Sequence, residues 1–258
     1  MNNSASAVMV SLLLAFPAFT SDPFNYYVKV KNFTERILSE KASRFRLASN
    51  DAGFALLETD YQKIVNQRVI GGRKIIEIRT GMIDRPPAEN ESTCQYLADT
   101  KFLNLDSPEI TRSAEKFKKS RNILKSVEDF VYRHISEKMT GIPLMPAAQI
   151  FRNRQGDCTE HSVLAAAVLR KLKIPSRAVV GMYLTDTFQG RKNIFVYHMW
   201  VEALHDRKWR IVDAAMPGEK HPNRYIAFAY HNLKTEAPLP YLRAVSSIQN
   251  LTCEYRAP

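Results

Sequence analysis

Cys158 stands in Asp157-Cys158-Thr159-Glu160, a capping box with an acidic N-cap and a glutamate at the third helical position. The predicted helix runs His161 to Lys173, with Leu164, Val168 and Leu172 on one stripe and Ala165 and Leu169 beside it. Ile174-Pro175 ends it. A thiol therefore opens an amphipathic helix. The free N–H groups and partial positive charge of a helix start favour a thiolate and an oxyanion alike. The expected chemistry is nucleophilic attack on a carbonyl, which needs a base and a group that orients the base. The competing reading is a small buried cysteine that merely begins a core helix.

Two later segments supply the missing groups. Asn193 to Leu204 and Trp209 to Ala214 read as strands, joined by the polar turn His205 to Lys208. With His205-Asp206 as the loop, His198 faces Asp213 directly. With Asp206-Arg207 as the loop, Asp213 faces Trp200 and His198 is its diagonal neighbour. Both registers put His198 and Asp213 on one face, because strand side chains alternate with period two. A carboxylate set in an apolar run needs a partner, and the imidazole is within reach. Cys158, His198 and Asp213 thus form a nucleophile, a base and an orienter.

Other elements frame these three. Ser107-Pro108-Glu109 starts a helix reaching about Ser120, and a second helix spans Ile123 to Met139. Ala147 to Arg152 is a short helical stretch leading to Gln155-Gly156. Upstream, Asn32 and Glu35 resemble a capping box and predict a helix through Ile37 to Phe45. Asp60 to Ile70 and Arg73 to Thr80 read as a strand hairpin turned by Gly71-Gly72. Asp84 to Ser92, with Pro86-Pro87, reads as a linker.

Around the three chemical residues, Trp200 shares the face of His198 and is a candidate cleft wall, with core packing as the alternative. His161 lies one turn from Cys158 and could assist the site or pack the helix. Gln149 and Gln155 are candidate oxyanion donors beside the backbone N–H of Cys158. Glu160 reads as a cap. Cys158, His161 and His198 would make a plausible zinc set, but Cys-x2-His on a helix followed by a distant His is a weak signal, and no metal is expected.

Three cysteines exclude a disulfide-dense scaffold and a four-cysteine zinc site, and leave at least one thiol unpaired within the chain. Cys94 and Cys253 are either bridged or two inert thiols. The 258 residues carry a net charge of +11, spread along the chain, and no nucleic-acid motif or P-loop accompanies it. The apolar run Ala7 to Phe19 is too short to span a membrane and fits a signal-peptide core, although no basic residue precedes it. Export to the periplasm or envelope is the favoured expectation, with a cytoplasmic location as the alternative.

GDCTEHSVLAAAVLRKLKIPSRAVVG, YHMWVEAL and KWRIVDAA, in that order, resemble the core of the transglutaminase-like superfamily. The tetrapeptide CTEH looks like the bacterial cysteine protease and amidase branch rather than animal transglutaminases. The resemblance covers about residues 107–231. It implies an α+β fold with a papain-like core, in which a cysteine-bearing helix packs on an antiparallel sheet after a smaller β-rich region. It also implies Cys158 as nucleophile, His198 as base and Asp213 as orienter. The expected division is an apolar segment (1–20), a β-rich region and linker (21–105) and the core (106–258). The expected activity is acyl transfer on peptide or protein amides, as hydrolysis or transamidation, without a cofactor. Trp200, Gln155 and His161 would line the substrate. A non-enzymatic scaffold of the same fold is the alternative.

Overall fold

The computed structural model describes residues 27–84, 93–139, 144–234 and 246–257. The apolar run at 7–19 and the Pro86-Pro87 segment lie outside them. In chain order the elements are β1 (Tyr27–Lys31), β2 (Ala42–Ser49), β3 (Gln62–Ile70), β4 (Arg73–Gly81), α1 (Pro108–Glu115), α2 (Ile123–His134) and β5 (Glu137–Lys138). There follow α3 (Ala147–Asn153), β6 (Gln155–Gly156), α4 (Cys158–Lys171), β7 (Ser176–Phe188), β8 (Arg191–His205), β9 (Lys208–Val212), β10 (Tyr225–His231) and β11 (Leu251–Arg256).

Among the described residues nine strands form one sheet in the order β10-β7-β8-β1-β11-β2-β4-β3, with β9 also paired to β8. The N-terminal strands join it because β1 runs antiparallel to β8 and parallel to β11. The β3–β4 hairpin forms as predicted, with Gly71 and Gly72 at φ +56° and +77°, a turn conformation that side chains disfavour. The helix predicted over Ile37 to Phe45 does not form. A short 3₁₀ turn, Glu35–Leu38, gives way to β2, whose alternating burial places Phe45 and Leu47 in the core. Period-two burial against β4 and β11 outweighs a local cap signal there.

The helix that begins at Cys158 is buried on all sides, not on one stripe. Every residue from Glu160 to Arg170 is buried, because α4 packs on β7 and β8 and is covered by α1, α2 and α3. Arg170 is enclosed there and donates to the carbonyls of Ser176, Ala98 and Asn232. The second predicted helix stops at His134, five residues early. Glu137 and Lys138 leave it to pair in parallel with Gln155 and Gly156, the residues just before the thiol.

Candidate active site

Sequence, capping and packing converge at the start of α4. Asp157 accepts from the N–H of Thr159 at 2.9 Å, and Glu160 Oε2 accepts from the N–H of Asp157 at 2.9 Å, so the capping box is complete. Gly156 makes it fit: a Cβ there would lie 2.3 Å from Glu160 Cβ, and its φ is +154°. Burial, with Asp157 beside it, pushes the Glu160 carboxyl up to about 8, so it holds a proton at neutral pH and acts only as a cap.

The β8–β9 hairpin takes the second of the two registers. His205 pairs with Lys208 across Asp206-Arg207, both at positive φ. His198 and Asp213 are therefore diagonal neighbours, and they meet: His198 Nε2–H donates to Asp213 Oδ2 at 2.7 Å. Both are buried, at 6% and 1% exposure. Cys158 lies close enough to His198 for each to shift the other's ionisation. Cys158 itself is half-buried. The structure thus brings together the three residues that the sequence placed apart.

The charges follow from this geometry. Burial opposes a charged imidazole, but Asp213, and after it Cys158, outweigh that cost and push His198 up to about 10. Asp213 is held below the usual carboxylate range. Burial works against its charge, but His198, Lys220 and the Tyr225 hydroxyl overcome it. The thiol departs from the sequence expectation. Burial raises it, with Asp157 adding to the rise, while hydrogen bonds from His198 and the Met199 N–H pull it down without reversing the direction. The helix start alone does not make a free thiolate, so ionisation of Cys158 depends on the imidazolium beside it.

Asp213 has support that the sequence did not reveal. Its Oδ2 accepts from the Tyr225 hydroxyl at 2.9 Å, and its Oδ1 from the N–H groups of Ala215 and Met216 at 3.2 Å. Its own N–H donates to Glu128 Oε2, which Lys220 holds at 2.9 Å. Tyr225 opens β10, a strand that nothing in the local sequence ties to Asp213.

The remaining candidates fall elsewhere. Trp200 is fully buried, stacked on His198 at 6.0 Å, and donates from Nε1 to the Tyr61 hydroxyl at 3.2 Å. It packs behind the histidine and presents no surface to a cleft. The Gln155 side chain donates to Glu137 Oε2 at 2.6 Å, which ties β6 to β5. Gln149 is exposed on α3 and lines a cavity of about 490 Å³ with Asp99, Asp106 and Arg152, whose lining contains none of the three chemical residues. His161 is fully buried. Its Nδ1–H donates to the Asp157 carbonyl at 2.5 Å, its Nε2 accepts from Lys138 Nζ at 3.0 Å, and burial lowers it to about 4. Cys94 and Cys253 are unpaired, the first exposed and the second buried in β11. Among the described residues no cluster of three or more metal-binding side chains forms. No described helix is long and apolar enough to cross a membrane.

One solved structure in particular shares this architecture. A cysteine protease candidate from Cytophaga hutchinsonii is 15% identical, with a TM-score of 0.51 over 89% of this chain and 83% of that one, which shows a shared fold. The periplasmic domain of TgpA from Pseudomonas aeruginosa, bound to ethylmercury, is 15% identical with a TM-score of 0.49 over 74% of each chain. No curated protein matches the chain in sequence. Residues 108–214, which run from the start of α1 to just past Asp213, match the family model described as the transglutaminase-like superfamily.

Proposed function

We propose that the protein is a cysteine-dependent acyl-transfer enzyme acting on peptide or protein amides, with hydrolysis as the principal outcome. The observation that supports this most is the buried His198–Asp213 pair at 2.7 Å, with Cys158 near enough to feel the imidazole's charge. In the proposed cycle the Cys158 thiolate attacks the amide carbonyl carbon, and the first-turn N–H of α4 stabilises the oxyanion. His198 protonates the leaving amine as the C–N bond breaks, which leaves a thioester. His198 then takes a proton from water, which hydrolyses the thioester and releases the acid. An amine in place of water would give transamidation by the same steps. Trp200 and Asp213 serve the base from behind and below, and no step calls for a cofactor. The core at 106–258 would act on a peptide or protein substrate, in the periplasm or envelope.

Incubation with a peptide library, with and without an added primary amine, tests the reading by product mass. Acid products that disappear in Cys158→Ala support it, and amine adducts would mark transamidation as the main route. No turnover under either condition, together with full biological function in Cys158→Ala, would favour a scaffold.

A further inference from the structure

Lys138 ends β5, beside the start of α4 and outside the catalytic trio. Parallel pairing of β5 with β6 puts it opposite Gly156, two residues before the thiol. Its Nζ donates to His161 Nε2 at 3.0 Å, and His161 is one turn along α4 on the side of Cys158. The imidazole is a neutral acceptor fixed by the Asp157 carbonyl, so it orients the ammonium without neutralising it. Lys138 is exposed and no ion pair joins it to a carboxylate among the described residues, since the adjacent Glu137 is held by Gln155. Its Nζ also lies 5.3 Å from the centroid of the Tyr132 ring, a neutral face that leaves the charge uncompensated. Burial lowers the Lys138 ammonium from its ordinary value, while Asp157 and Cys158 act in the opposite sense, which places its charge within electrostatic reach of the thiol.

We infer that Lys138, held by His161, forms an anion subsite beside Cys158 that selects acyl donors bearing a carboxylate next to the reacting amide. The inference rests on Cys158 being the nucleophile. An ammonium hydrogen-bonded to a neutral imidazole and in ion-pair contact with no carboxylate has charge to offer a substrate that brings one. The chain's net charge of +11 favours the approach of such acidic peptides.

Two alkylating probes of nearly equal size read the subsite without a known substrate. Iodoacetate and iodoacetamide both transfer a carbon to Cys158: the thiolate forms the S–C bond, the C–I bond breaks, iodide leaves, and the thiol proton passes to His198 or solvent. Only iodoacetate carries the carboxylate. In the full chain, the iodoacetate to iodoacetamide rate ratio at Cys158 should exceed that of free cysteine by about tenfold. Lys138→Gln should lower the iodoacetate rate roughly fivefold more than the iodoacetamide rate, and Lys138→Arg should keep most of the preference. A ratio equal to that of free cysteine, or one that Lys138→Gln leaves in place, overturns the subsite. An equal fall of both rates overturns it too, because Lys138 would then act on the thiol and not on the ligand. The ratio does not depend on absolute reactivity. A Cys158 no more reactive than free thiol toward iodoacetamide therefore counts against the nucleophile, while the ratio still judges the subsite.

Discussion

Asp213→Asn tests the link between the carboxylate and the thiol. With Asp213 in place, His198 is raised from an ordinary 6.5 to about 10, a preference for the imidazolium worth roughly 5 kcal/mol. Asp213 leads the causes that raise it and Cys158 follows, so the carboxylate supplies the larger part of that preference. In the native pair the thiol therefore ionises beside a retained imidazolium, which opposes the rise that burial imposes. Once the carboxylate is neutral, the imidazolium loses its main support, and the half-buried thiol must ionise beside a ring that holds its proton less firmly. Iodoacetamide alkylation of Cys158 near pH 7 should slow by roughly 10²- to 10³-fold, and its rising limb should move to higher pH. The stability of the fold carries the same signature. A histidine raised on folding contributes stability that is complete below pH 6.5 and is lost as pH rises through about 10, so the native melting temperature should decline over that window. In Asp213→Asn this decline should flatten. An unchanged alkylation profile in a folded variant would refute the claim that Asp213 holds the imidazolium.

Three further outcomes follow from particular contacts. Tyr225→Phe removes one donor to Asp213 and leaves its two backbone donors, so amide turnover should fall about tenfold without loss of fold, as kcat/KM and a melting curve would show. Gly156→Ala drives a Cβ to 2.3 Å from Glu160 and breaks the capping box, which should cost about 2–3 kcal/mol, or a melting temperature about 5–10 °C lower. In the native, non-reduced protein, mass spectrometry after iodoacetamide treatment should find Cys158 and Cys94 labelled and Cys253 protected, since burial pushes the Cys253 thiol up.

The site was legible where chemistry is tied to local spacing. The capping box, the helix at Cys158 and the shared face of His198 and Asp213 follow from periodicity and cap chemistry over a few residues each. What escaped is set by distant partners. Tyr225, Glu128 and Lys220 reach Asp213 from a strand, a helix and a loop that have no sequence proximity to it. The insertion of β1 between β8 and β11 likewise has no local mark. Lys138 was hidden because its apolar neighbours continue the period of α2, while pairing with β6 draws it out of the helix. Trp200 was placed on the right face, but depth in the sheet is a tertiary property: Tyr61, Tyr225 and Val179 enclose it. The thiol's direction was misjudged for the same reason. A helix start read in isolation lowers a thiol, whereas the packing of α4 desolvates it.

Mass spectrometry of the protein after exposure to a peptide-based electrophile that traps an acyl-enzyme is the most direct test of the central claim. The account predicts one adduct per chain, on Cys158, and its loss in His198→Ala. An adduct that forms equally well in His198→Ala, or one distributed over Cys94 and Cys158 at the rate of free thiols, would contradict it.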